Sequence, residues 1–467
     1  VKPEQVLRFW PVKLGHSARK WVVENVKFGE LSDAEFRMNL KPDSLRDDVF
    51  DNEELQLEFS FKNAEVGFLS DLPPVKKGVG RGRLEGNRFS LDVESGEFSN
   101  WQISSGLVQI PRFKPDGETL VVRATGIGNV RDIVKTLSNS RLQLEKQYGL
   151  NIDAISGTGT ANFELKRPIQ KNVPDDATRF SVEGKVRDGG FKGLYGDLNL
   201  TKGNAVVKVD NDHIRLNGYG ELLNTPVQFD WIDKFNDDGP ERTTLKASGN
   251  VTPDLLNRYG VASRAYLTGD VFTRLDAKGV SITKLDRIDL DFDLTPNRLN
   301  FSELDWIKPT GQPAQAALKI RGGKGSQNTT LRMSAEGFNF EGALKTSDTG
   351  MIEGVRVNRL FLEDQVNIRG ELLRTANGGL VIDVNGPFLN ISPYLDGLMS
   401  SGEGTIPVFG DVKFLSRIDR LRLKDGLELT AVDLAADFQG PILQSFSLKG
   451  KSVQGGAIDF QLQEDAE

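Results

Sequence analysis

Few residues in this chain have the type and spacing for chemistry. Its 467 residues include two histidines and no cysteine, which excludes a thiolate metal site, a cysteine nucleophile and any disulfide. His213 follows Asp210-Asn211-Asp212 in what reads as a turn between strands, and His16 stands before a short helix. A hydrolase needs a nucleophile or base with a partner to orient it, and neither histidine has a triad-like spacing. Carboxylates are denser. Asp286, Asp289, Asp291 and Asp293 suggest calcium binding or glycosidic chemistry at first sight. The last three alternate with Leu290, Phe292 and Leu294, so they project from one face of one strand at spacings of about 7 Å. Carboxylates placed so are solvated and mutually repelling, and no loop of the calcium-wrapping kind surrounds them. The loop Asn236-Asp237-Asp238-Gly239 offers no more. Gly78-Val79-Gly80-Arg81-Gly82 lacks the dinucleotide fingerprint and leads into a strand, and Gly323-Lys324-Gly325-Ser326 lacks the phosphate-loop spacing. Asn328-Thr329-Thr330 matches a glycosylation acceptor, a motif too common to carry weight. The chain reads as no enzyme, with no metal and no cofactor.

Composition narrows the classes further. The net charge of -7 comes from 59 basic and 66 acidic residues mixed along the chain, so there is no electrostatic footprint for nucleic acid. Phenylalanine, at 27 residues, dominates the aromatics, which appear on the apolar parity of strands, as Phe59/Phe61 and Phe338/Phe340 do; this points to an interior and not to a base-stacking platform. No run reaches 18 apolar residues, so nothing here spans a bilayer as a helix. The chain opens at Val1 in sequence that already reads as folded, and it is taken as an excerpt of a longer protein.

The elements that position these residues are strands. Ile288, Leu290, Phe292 and Leu294 point one way while Asp289, Asp291 and Asp293 point the other, and Leu421, Leu423, Leu427 and Leu429 repeat the pattern around a Lys424-Asp425-Gly426 turn. Period-two alternation means a sheet with one apolar and one wet face. Strands are expected over 34–40, 55–59, 83–85, 88–93, 98–104 and 107–110. A meander is expected over 180–231, in which 197–204 reads as strand then turn. The Phe68–Val75 stretch is an apolar connector, 172–178 a polar turn and 236–241 an acidic loop. Four short helices are expected: 17–26, capped by Ser17 with Trp21 on its buried side; 129–148, capped by Asn129; 253–259, capped by Thr252; and 393–396. A weak repeat places Tyr148-Gly149-Leu150 and Tyr259-Gly260-Val261, 111 residues apart, before similar glycine-spaced strands. Growth is expected to be continuous over 1–467, in units of about 1–128, 129–251, 252–390 and 391–467.

Several stretches carry a family likeness: Trp10-Pro11, Ala18-Arg19-Lys20-Trp21-Val22 and Phe28-Gly29; Phe68-Leu69-Ser70-Asp71-Leu72-Pro73-Pro74-Val75 before Gly80-Arg81-Gly82; Leu216-Asn217-Gly218-Tyr219-Gly220 before Pro226-Val227-Gln228-Phe229-Asp230-Trp231; and the Thr252–Gly269 and Val381–Leu398 segments. Together they resemble the AsmA-like superfamily of envelope proteins, in particular its YhdP/TamB-like members. The resemblance implies an all-β, elongated, curved antiparallel sheet forming a groove with an apolar interior. It implies a body in the periplasm of a Gram-negative bacterium, tethered to the inner membrane by a segment absent here. It further implies conduction of phospholipids between inner and outer membrane, with acyl chains, the two membranes and envelope proteins as partners, and no catalytic residue.

The residues agree with that implication, because moving a lipid breaks no bond and each methylene kept from water is worth about 0.8 kcal/mol. The lining is expected to include Leu57, Phe59, Phe163, Phe229, Leu290, Phe292, Phe338 and Leu429. The alternative is a structural or assembly scaffold for the envelope, whose free edge strands pair with a client strand. Shape separates the two readings. A compact chain of this length has a radius of gyration of about 23 Å, and small-angle scattering is expected to give a clearly larger value; the compact value would leave only a packed scaffold.

Overall fold

The structure, a computed structural model, describes residues 3–11, 14–47, 49–68, 72–114, 118–139, 151–170, 172–195, 198–235, 237–258, 263–322, 328–346, 352–375, 378–393, 411–440 and 442–463. Strands dominate and the helices are short. The chain divides into two units, Val1–Leu245 with Val280–Thr283, and Lys246–Gly279 with Lys284–Glu467.

The first unit opens with helices α1 (Pro3–Phe9) and α2 (His16–Asn25), then strand β1 (Val26–Met38), helix α3 (Pro42–Asp47) and strands β2 (Leu55–Val66), β3 (Val75–Glu85), β4 (Arg88–Phe98), β5 (Trp101–Ile110) and β6 (Thr119–Asn129). Helix α4 (Val130–Ser138) precedes β7 (Ile155–Pro168), β8 (Arg179–Tyr195), β9 (Leu198–Asp210), β10 (His213–Leu222) and β11 (Thr225–Lys234). Each strand from β1 to β11 pairs antiparallel with the next in sequence. Tight turns make this order local. Ser99 and Asn100, and again Leu223 and Asn224, have positive φ at both positions, the two-residue hairpin geometry whose twist matches that of the flanking strands.

β12 (Thr243–Val251) leads into the second unit, where α5 (Pro253–Arg258) and α6 (Ser263–Tyr266) precede β13 (Leu267–Thr268), β14 (Val271–Ser281), β15 (Lys284–Asp293), β16 (Arg298–Phe301), β17 (Trp306–Lys308), β18 (Ala314–Arg321), β19 (Asn328–Ala335) and β20 (Phe338–Thr346). There follow β21 (Ile352–Leu362), β22 (Val366–Arg374), β23 (Leu380–Asn390), β24 (Val412–Arg422), β25 (Glu428–Gln439), β26 (Ile442–Ser452) and β27 (Ala457–Gln463). The main ladder runs β15–β18–β19–β20–β21–β22–β23 antiparallel, then β23–β24 parallel, then β24–β25–β26–β27 antiparallel. β13, β16 and β17 form a small sheet of their own.

Several expectations are corrected. The strand expected over 98–104 is broken by the Ser99-Asn100 turn. β9 runs through the turn expected at Thr201–Asn204, where Lys202, at φ 50°, sits in a register irregularity. Helix α2 starts at His16 after a left-handed Gly15, with no side-chain cap from Ser17, and Trp21 is 47% exposed. The reason is that α2 buries none of its residues. Leu427 is turned out to solvent at the edge of the Lys424–Gly426 turn, while Leu421 and Leu429 are buried. Phe272, Phe361 and Phe388 break the rule that aromatics keep to the apolar parity. Each is covered by an arginine: Arg274 at 5.1 Å, Arg359 at 5.3 Å, and Arg420 and Arg422 at 4.8 and 5.0 Å. Asn129 and Thr252 cap as expected, accepting from Arg131 N at 2.8 Å and Leu255 N at 3.2 Å. The remainder of the helices expected over 129–148 and 393–396 lies outside the described residues beyond Asn139 and Pro393.

A buried carboxylate fastens the β1–β2 crossing. The Glu54 side chain accepts from Lys41 N at 2.9 Å, Ser44 Oγ at 2.7 and 2.8 Å, and Asp51 N at 2.8 Å. These bonds push its pKa down to about 2, that from the Asp51 N–H contributing most. A depressed carboxyl stabilises the fold above its unfolded pKa of about 4.3, and that contribution is lost as pH falls through the folded value. Hydrogen-exchange protection factors at Lys41, Ser44 and Asp51, taken relative to the intrinsic rate at each pH, are therefore expected to hold from pH 7 to about pH 4.3 and to fall on approach to pH 2. Glu54→Gln is expected to show low protection throughout and to lose that pH dependence.

Candidate functional site: the apolar sheet face

Residues opposite each other on paired strands share a face, so the register shows which side chains form continuous surfaces. In the first unit one such row runs Leu31, Phe61, Gly80, Val93, Gly106, Ala124, Phe163, Val182, Val209, Ile214 and Asp233 from β1 to β11. Beside it lies Phe59, Gly82, Leu91, Val108, Val122, Leu165 and Phe180. In the second unit Ile288, Ile320, Thr329, Leu344, Val355, Leu372, Ile382, Phe414, Ala436, Phe446 and Leu462 face one another from β15 to β27. The next row is Leu290, Leu318, Leu331, Gly342, Val357, Gly370, Val384, Ser416, Leu434, Leu448 and Phe460, through the same pairings.

The opposite face is charged and paired. Arg123–Glu164, Arg332–Glu341, Arg356–Glu371 and Arg417–Asp433 are direct cross-strand partners at 2.8, 2.9, 2.7 and 3.1 Å. Two of the three strand carboxylates that tempted a metal reading are engaged elsewhere: Asp289 holds Arg321 at 2.6 Å and Asp293 accepts from Thr295 N at 3.0 Å. The Thr295 hydroxyl and N–H hold the Asp293 carboxyl below its usual range.

The structure places the expected lining residues on these faces but in different surroundings. Leu57, Phe59, Phe163 and Phe229 share the apolar face of the first unit, and each is half-buried. Leu290, Phe292, Phe338 and Leu429 share that of the second. Leu290 and Phe292 are half-buried, whereas Phe338, 6% exposed, and Leu429, 2% exposed, are packed inside clusters. Sequence reasoning missed Trp101. Its ring lies across Gly128 and Gly159, where a Cβ would approach it to 2.5 and 2.9 Å, and its Nε1 donates to Asn129 O at 2.7 Å. Trp101 thus fastens the start of α4 over one end of the first unit's apolar face. The signal was present in the glycines facing it, which period-two reading treats only as strand breaks.

Glycine also makes room within the rows. Phe59 lies over Gly82, so that a side chain there would fall inside the ring, and the Phe61 Cζ would be 2.7 Å from a Cβ on Gly80. Gly82→Val is expected to destabilise the first unit by about 1–3 kcal/mol, measured by chemical denaturation. Phe59→Leu in the same chain is expected to recover part of that loss, giving a non-additive double-mutant cycle.

A family model described as YhdP protein matches residues 1–465. No curated protein and no solved structure matches the chain. The matched family is non-catalytic, and among the described residues no group of three or more His, Cys, Asp or Glu side chains could hold a metal ion. No helix among the described residues is long and apolar enough to cross a membrane. With the match extending over nearly its whole length, and with the AsmA-like likeness of its motifs, the chain belongs to the YhdP protein family.

Proposed function

We propose that each unit holds phospholipid acyl chains along its apolar sheet face, as a periplasmic segment of a protein anchored to the inner membrane of a Gram-negative bacterium by a segment outside this chain. In this reading lipids pass between inner and outer membrane with their headgroups in solvent at the groove's open side. The observation that carries it is the row Ile288 to Leu462: it is apolar save for Thr329, unbroken across the ladder, and mostly half-buried instead of closed into a core. A continuous apolar surface that water still reaches gains free energy by accepting hydrocarbon, and a row without charged side chains offers little to stop hydrocarbon sliding. A monomeric protein seldom leaves a large apolar surface without an occupant.

A second reading, strand addition by a client envelope protein, is favoured by one feature. β27 pairs only with β26 among the described strands, and it brings Phe460 and Leu462 to that edge exposed.

Native mass spectrometry of the chain released from mild detergent is expected to show co-purified phospholipid. Ile382→Asp places a charge on the half-buried row of the second unit and is expected to lower the amount of co-purified lipid, leaving that held by the first unit, while the far-ultraviolet circular dichroism stays that of a β-protein. Lipid-free wild-type protein, with no uptake from vesicles, would refute the conduit and leave the scaffold.

A further inference from the structure

The apolar face of the second unit is not uniformly open. Ala314, Phe338, Leu362, Val366, Leu421 and Leu429 lie along one margin, and all are buried. The parallel row along the other margin, with Leu344, Val355, Leu372, Ile382 and Phe414, is half-buried. What covers the first margin over β18–β22 is the small sheet β13–β16–β17. Its Trp306 stacks on Phe338 at 4.7 Å and on Phe301 at 5.5 Å; Phe301 reaches Phe338 at 5.7 Å, and Tyr266 of α6 meets Phe301 at 5.4 Å. Phe301, Leu304 and Trp306 pack against the buried Phe338–Leu362–Val366 cluster. Farther along the same margin, Ile391 and Leu423 pack on the Leu421–Leu429 cluster.

The small sheet is held by buried polar groups that no apolar cap requires. Lys308 is fully buried, and its ammonium donates to three backbone carbonyls: Asn297 O at 2.7 Å, Pro309 O at 3.0 Å and Thr295 O at 3.2 Å. Asn297, itself buried, donates through Nδ2 to Asp270 O at 3.0 Å and Thr268 O at 3.1 Å. One cation therefore joins the end of β17 to the β15–β16 turn, and through Asn297 to the end of β13. A flap resting on hydrophobic contacts alone could slide over an apolar sheet; directional bonds to five carbonyls fix its position.

We infer that β13–β16–β17 is a fixed partition, with Lys308 as its positioning residue, that removes the Phe338–Leu362–Val366 margin from the lipid path and confines acyl chains to the margin formed by Leu344, Val355, Leu372, Ile382 and Phe414. This deepens the lipid-groove reading and rests on it. It assigns two of the expected lining residues, Phe338 and Leu429, to structure instead of to lipid contact.

The test uses the unmodified full chain, loaded from vesicles of a phospholipid whose acyl chain carries a diazirine. After irradiation, the labelled residues are mapped by mass spectrometry. Label is expected on Leu344, Leu372, Ile382 or Phe414, and none on Phe338, Leu362 or Val366. Equal label on both margins would overturn the partition while leaving the groove intact, and absence of label from the whole chain would overturn both. Lys308→Met is then mapped in the same way. With β-type circular dichroism retained, new label at Leu362 and Val366 supports the assigned role of Lys308, and an unchanged map removes it. Should that variant fail to fold, the wild-type map decides the partition.

Discussion

Cross-strand register is the constraint on which the rest of this structure depends. Side chains alternate with a period of two, so a slip of one residue anywhere in the ladder would move a whole apolar row into water and a row of charges onto the apolar face. The wet face resists such a slip. Arg332–Glu341, Arg356–Glu371 and Arg417–Asp433 are opposite charges set directly across from one another. Each exposed pair is worth only about 0–1 kcal/mol, yet a slipped register loses every pair at once and sets arginines against apolar neighbours. The two-residue turns at Ser99-Asn100 and Leu223-Asn224 add a local stop, since their positive φ values suit one loop length.

Where the simple meander is interrupted, the structure buries polar groups whose hydrogen bonds tie segments together. Glu54 gathers the loop between β1 and β2. Asp233 ends the first unit's apolar row as a fully buried carboxylate, accepting from Arg242 Nε at 3.1 Å and from the Thr243 hydroxyl. Lys308 and Asn297 fix the small sheet. Burying a charge is costly unless it is paired or hydrogen-bonded, so these groups are weak evidence for stability and better evidence for geometry. Each binds segments that hydrophobic contact alone would leave free to move.

The functional character follows from what the two faces lack and what they share. Charged side chains on the wet face form cross-strand pairs such as Arg123–Glu164 and Arg356–Glu371. The apolar face offers length, continuity and partial exposure. A surface of this kind suits a ligand that is long, apolar and unchanged by binding, and it fits membership of an envelope-protein family without catalysis.

Much of this was legible in the sequence. Alternation at Ile288–Leu294 determined strand and face, because period-two geometry leaves those side chains no other arrangement. Asn129 and Thr252 announced their helices through capping chemistry, whereas the Gly78–Gly82 run, read as leading into a strand, lies within β3. Other features needed three dimensions. The parallel step between β23 and β24 leaves no local signature, since either strand reads the same in both directions. Trp101 over Gly128 and Gly159, and the arginines over Phe272, Phe361 and Phe388, join residues that alternation assigns to strands without saying which strands meet. Above all, Phe338 and Phe292 are alike in the sequence, both apolar and both on the inward parity. Only the tertiary structure separates them, because burial depends on what else the chain lays across the face, and the small sheet locked by Lys308 lies across one and not the whole of the other.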